Sequence, residues 1–100
     1  MKYNKLIRDK IPQHILSRGI VPVTHIASDE EYWKKLKEKL SEEVNEFRED
    51  ESIEEYADVL EVMEAIADYK EFDNLRVNSI KENKAREKGK FKDRIILDES

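Results

Sequence analysis

The chain has 100 residues, enough for one small domain, so we expect a single domain over residues 1–100. Charged residues make up 43% of it, against about 25% in typical globular proteins, yet the net charge is only -5. No cysteine is present, which excludes disulfides, thiolate metal sites and thiol nucleophiles. Short apolar runs and a charged start predict a cytoplasmic protein without a membrane partner, and the acidic balance disfavours nucleic acid.

Two glycines and two prolines among many Glu and Lys residues predict long helices. The first element in chain order is a short helix within residues 8–18, which Gly19 ends. Residues 20–26 are rich in β-branched side chains and are predicted to be extended.

Three longer helices follow, predicted over residues 30–49, 53–69 and 73–88. Their predicted caps are Ser28 or Asp29, the capping box of Ser52 with Glu55, and Asp73, with Gly89 as the final stop. Residues 91–97 end in an apolar run and are a candidate short strand. The fold class is therefore all-α: a small bundle of three to four helices with short extended terminal segments, completed by oligomerisation.

The helix over residues 30–49 carries two carboxylates at the margin of its apolar stripe. On a helical wheel, Glu43 falls at the edge of this stripe, and Glu46 falls on the same flank at a spacing of three. The stripe consists of Trp33, Leu36, Leu40, Val44 and Phe47.

The helix over residues 53–69 is apolar on two opposite sides, which predicts a position in a bundle centre or at a subunit interface. Glu55 and Asp58, again three residues apart, fall among its apolar residues. Burying carboxylates among apolar residues costs free energy unless they are paired or bind a cation.

In a chain with 24 acids, solvated helix faces are the simplest interpretation of these pairs. Their placement between two neighbouring helices instead favours a site for Mg2+ or Mn2+, since hard cations prefer oxygen ligands. Such a cation suits phosphate chemistry, for which protein cations are also needed. The chain offers Lys5 and Arg8 at its start and Lys84 and Lys88, one turn apart, near its end.

Three stretches resemble a known family. They are residues 3–12, the motif Glu42-Glu43-x-x-Glu46 followed by Glu55-x-x-Asp58, and residues 84–91 with Arg94. Together they resemble the MazG-like, phosphoribosyl-ATP pyrophosphohydrolase-like group of all-α nucleoside triphosphate pyrophosphohydrolases. The connection between Glu46 and Glu55 is shorter than in the usual MazG pattern.

The resemblance implies a helical bundle completed as a homodimer or higher homo-oligomer. It also implies Mg2+-dependent hydrolysis of a nucleotide between the α and β phosphates. The implied metal ligands are Glu43, Glu46, Glu55 and Asp58, with Glu42 as a further ligand or a water-positioning residue. The implied phosphate contacts are Lys84, Lys88 and Arg94, and the implied nucleotide pocket contains Asn4, Lys5, Arg8 and Asp9.

We therefore expect a nucleotide-pool house-cleaning enzyme, in which Glu42 or Glu46 orients the attacking water. Two alternatives remain open. One is hydrolysis of phosphoribosyl-ATP in histidine biosynthesis by the same chemistry. The other is a non-catalytic helical association module with solvated acids.

Overall fold

The computed structural model describes residues 2–100 and contains four helices and, within that range, no strand. The helices are α1 (Ile11–Ser17), α2 (Asp29–Glu49), α3 (Ile53–Lys70) and α4 (Asn74–Lys88). The all-α prediction is confirmed. The candidate strand over residues 91–97 is wrong, because a strand needs a hydrogen-bonded neighbour and no described segment supplies one.

Helix α1 is shorter than predicted. It begins at Ile11, with Pro12 in its first turn, where the missing N–H of proline removes no helical hydrogen bond. It ends at Ser17, and Gly19 follows with φ +83°, a conformation that glycine adopts without strain. The residues before Ile11 therefore form an irregular N-terminal segment.

The predicted N-cap residues of the three longer helices are confirmed, but the capping box is only half formed, since the Ser52 N–H donates to the Asp50 carbonyl and not to Glu55. In each helix, a backbone N–H of the first turn donates to a side-chain oxygen just before the helix. The pairs are Glu31 to Ser28, Glu55 to Ser52 and Leu75 to Asp73, each at 3.2 Å. Helix α4 stops at Gly89, as expected.

Helices α2 and α3 pack against each other in antiparallel orientation, joined by a turn of three residues. Near the start of α2, Trp33 stacks on Tyr69 of α3 with ring centroids 5.2 Å apart. At the other end, Phe47 lies against Tyr56 with centroids 6.2 Å apart. Between these two aromatic contacts, the apolar stripe of α2 is turned inward, and Leu36 is its most buried residue.

The contacts divide the chain into two compact units, one ending at Lys70 and the other comprising residues 71–100. The first unit holds the α2–α3 pair, and α4 belongs to the second. No helix within residues 2–100 combines the length and apolar character needed to cross a membrane. The single-domain organisation expected from the sequence stays a prediction.

Candidate metal centre

Three carboxylates converge between α2 and α3. Glu43 contributes one oxygen from α2, Glu55 and Asp58 contribute one each from α3, and these atoms all lie within 4.8 Å of one another. Glu55 and Asp58 share a face because residues three apart on a helix are neighbours. The antiparallel packing then places Glu43 opposite them. We call these three residues the carboxylate cluster.

The cluster holds carboxylate oxygens that lack partners. Glu43 is buried, with 7% of its surface exposed. Within the part of the chain that the structure describes, Glu43 Oε2 and Glu55 Oε2 are both buried and neither accepts a hydrogen bond. A buried anionic oxygen without a donor is strongly unfavourable, so a cation, a proton or a water at these oxygens would stabilise the cluster.

Glu46 lies beside the cluster but is exposed, and it is not among the three converging carboxylates. Loss of hydration and the negative charges of its acidic neighbours, above all Glu43, raise the pKa of Glu46. Loss of hydration and the nearby charges of Asp58 and Glu43 likewise raise the pKa of Glu55. Both shifts therefore have the same two causes, loss of hydration first and then repulsion between neighbouring carboxylates.

The N-terminal segment brings two cations to the margin of the cluster. Arg8 Nη2 lies 2.8 Å from Asp58 Oδ1, and Lys5 Nζ lies 3.0 Å from Glu42 Oε1. These pairs join residues 50 and 37 positions apart. The structure therefore places Lys5 and Arg8, which the sequence singled out, next to the acidic motif.

Lys39 is a third cation at this margin, and sequence reasoning missed it. Its Nζ lies 3.2 Å from Glu43 Oε1 and 3.4 Å from Glu42 Oε2. The signal that would have identified it is its spacing of three and four residues before two acids on one helix. Loss of hydration would raise the pKa of Glu42, but the hydrogen bond from Lys5 and the charge of Lys39 outweigh it and lower that pKa.

Asn4 also lies close to α2. Its backbone carbonyl accepts a hydrogen bond of 2.8 Å from Lys35 Nζ, and its φ of +45° turns the chain at this point. The segment is thereby held against α2 at Asn4 and at Lys5. Asp9, the remaining predicted pocket residue of this segment, is exposed.

The cations predicted from the end of the chain lie in the second unit. Lys84 and Lys88 are exposed on α4, and Arg94 is exposed in the tail that follows. Their assignment to phosphate groups stays a prediction.

The geometry suits a hard divalent cation. Three carboxylates from two packed helices offer oxygen ligands, and two of their oxygens still lack a partner. Mg2+ and Mn2+ prefer such ligands and keep other positions for water or phosphate. The residues present therefore fit the metal that the motifs imply.

Comparison with known proteins gives one partial match. A stretch of 44 residues is 50% identical to an uncharacterized protein of Mycolicibacterium smegmatis, covering 44% of this chain and 45% of that protein. The chain thus spans less than half the length of this curated relative, whose name assigns no activity. No protein-family model and no solved structure matches the chain. Membership of the MazG-like group stays a prediction.

Proposed function

We propose that this chain is a MazG-like pyrophosphohydrolase that cleaves a nucleoside triphosphate between its α and β phosphates. It would hold Mg2+, or Mn2+ in its place, and serve in nucleotide-pool house-cleaning. The observation that carries the proposal is the carboxylate cluster with its buried, unpartnered oxygens on Glu43 and Glu55. The resemblance of the acidic motif and of residues 3–12 to MazG-like enzymes supports the same reaction.

Glu43, Glu55 and Asp58 would hold the cation. Glu46, next to them, would be a further ligand or would accept a hydrogen bond from the attacking water. When bound, a divalent cation neutralises phosphate charge and lowers the pKa of a coordinated water. The Arg8 guanidinium now paired with Asp58 would turn towards a phosphate oxygen, where guanidinium groups bind well.

Glu46 is the better of the two candidates for orienting the attacking water. Glu42 already accepts hydrogen bonds from Lys5 and Lys39, whereas Glu46 is exposed beside the cluster. The water oxygen forms a bond to the α phosphorus, and the bond from that phosphorus to the bridging oxygen breaks. The electron pair leaves with pyrophosphate, and Glu46 accepts the proton of the water.

A homodimer is part of this proposal. One flank of α3 exposes apolar residues at alternating spacings of three and four, as in a helix–helix seam, although one of them, Tyr56, also touches Phe47 of α2. They are Ile53, Tyr56, Leu60 and Met63. Few large side chains in a single copy are fully buried, so a second copy of α3 is the occupant that would complete the core.

A pyrophosphate-release screen tests the activity. It compares canonical nucleotides, damaged nucleotides and phosphoribosyl-ATP, each with and without Mg2+, which also separates house-cleaning from the histidine-pathway alternative. We expect Mg2+-dependent release from at least one nucleotide.

Glu43→Gln is the decisive variant. It removes the buried charge at nearly constant shape, so helix content by circular dichroism should persist while turnover falls at least about a hundredfold. The rise in melting temperature on adding millimolar Mg2+ should vanish as well. Glu64→Gln, an exposed site on α3, is the matched control and should behave like the wild type.

Wild-type turnover in Glu43→Gln would show that the site is assigned wrongly. No release from any nucleotide, together with no thermal response to Mg2+, would instead support the non-catalytic association module.

A further inference from the structure

A cavity of about 100 Å3 lies between the N-terminal segment and α2, beside the carboxylate cluster. Three lysines line it, Lys5, Lys35 and Lys39, together with Asn4, Glu38 and Glu42. Its volume admits several waters and therefore a phosphate group. We call it the lysine cavity.

The lysines of α2 in this cavity are held in place. Lys35 and Lys39 lie one turn apart, and only 16% of each side chain is exposed, although lysine is normally among the most exposed residues. Lys35 donates to the Asn4 carbonyl and pairs with Glu38, and Lys39 lies between Glu42 and Glu43. Fixed, partly dehydrated ammonium groups bind anions better than mobile ones, because they lose less side-chain conformational entropy on binding.

Charge and position indicate which anion fits. Three ammonium groups against two carboxylates leave the cavity with a charge of +1, whereas the neighbouring cluster consists of three carboxylates. Lys39 belongs to both places, since it lines the cavity and contacts Glu43. A phosphate chain that starts at the cluster therefore meets the lysine cavity directly beside it.

We infer that the lysine cavity binds the pyrophosphate end of the substrate, so that Lys35 and Lys39, with Lys5, hold the leaving group. The identity of the anion rests on the proposed function. The chain should therefore also bind free inorganic pyrophosphate, the product of the reaction.

A purely structural role for these lysines makes a different prediction. If Lys39 only supports the acidic motif, its loss should weaken metal and anion binding together. If it belongs to an anion site, its loss should weaken pyrophosphate binding alone. Mg2+ binding should then be unchanged or tighter, because a cation next to Glu43 has been removed.

The test is titration calorimetry on the full chain with two probes, Mg2+ alone and inorganic pyrophosphate in the presence of millimolar Mg2+. For Lys39→Gln we expect pyrophosphate affinity to fall about tenfold or more, the usual effect of losing one charge-assisted hydrogen bond, with no loss of Mg2+ affinity. Lys35→Gln, which does not contact the cluster, should show the same fall. Lys34→Gln, exposed on α2 outside this cavity, is the matched control and should bind both probes like the wild type.

Undiminished pyrophosphate binding by both variants, or no binding by the wild type, overturns the inference. An equal loss of Mg2+ affinity and pyrophosphate affinity in Lys39→Gln overturns it too. If Lys39→Gln does not fold, the result for Lys35→Gln decides. Nucleotide turnover that depends on Glu43 without pyrophosphate binding would leave the proposed function standing and the cavity disproved. Pyrophosphate binding that depends on these lysines, without nucleotide turnover, would support the lysine cavity as an anion site and contradict the proposed function.

Discussion

The charged side chains around the cluster differ greatly in how much they contribute to stability, and the difference follows from their burial. Glu43 is buried and pairs with Lys39 through one oxygen, while the other oxygen has no partner, so a further cation or donor at that oxygen would stabilise it. The pair of Arg8 with Asp58 is exposed on both sides, and such pairs contribute about 0–1 kcal/mol to stability. The proposed function therefore predicts that Arg8 matters more for ligand binding than for stability.

This contrast predicts the behaviour of Arg8→Gln. The free energy of unfolding should fall by less than about 1 kcal/mol, because water and salt already screen the exposed pair. The kcat/KM for the nucleotide should fall about tenfold or more, since a guanidinium–phosphate contact is lost. Urea denaturation and steady-state kinetics measure the two quantities.

Arg18→Gln is the control for this prediction, as Arg18 is exposed at the end of α1. A large loss of stability in Arg8→Gln with unchanged kinetics would contradict the assignment and make the ion pair structural.

At the scale of elements, local chemistry sets the limits of the helices. Helix α2 begins where Ser28 accepts the N–H of Glu31, and three acids in its first turn complement the helix dipole. The cap sets where α2 begins, whereas the apolar stripe packed on α3 directs Glu43, at the edge of that stripe, towards α3.

Ser28→Ala should destabilise the chain by about 1 kcal/mol, because the cap hydrogen bond is lost and a first-turn N–H is left without its acceptor. Ser41→Ala, at an exposed position within α2, removes a hydroxyl that makes no cap and should be neutral or slightly stabilising. Urea denaturation at one fixed protein concentration compares the two variants. Equal effects would show that the cap of α2 does not contribute to stability.

For the whole molecule, the exposed side of α3 is the feature that a single copy does not explain. Leu60 remains 46% exposed and Met63 48% exposed on a helix that also packs on α2. Burial of apolar surface stabilises by about 25 cal/mol per Å2, so a second copy on this side would add substantially to a thin core.

Leu60→Lys should therefore convert a wild-type dimer into a monomer, because a charge in the seam loses its water without gaining a partner. Val23→Lys changes an almost fully exposed residue outside α3 and should leave the dimer intact. Light scattering coupled to size-exclusion chromatography measures the mass of each. A monomeric wild type at micromolar concentration would contradict this prediction.

Much of the fold was predictable because it depends on interactions within a few residues. The caps at Ser28, Ser52 and Asp73, and the stop at Gly89, fixed the helix limits to within about one residue. Predictions failed where a distant partner was required. The candidate strand over residues 91–97 had the right composition, but no strand within the described residues 2–100 pairs with it.

By itself, the sequence determined the four helices, the inward stripe of α2 and the two carboxylate pairs, since helical periodicity places residues three and four apart on one face. Only the tertiary structure decided that Glu43, Glu55 and Asp58 converge while Glu46 stays exposed. It also placed Lys5, Arg8 and Lys39 in ion pairs with acids of that motif. The physical reason is that contacts between residues dozens of positions apart depend on how helices pack, which no local pattern records.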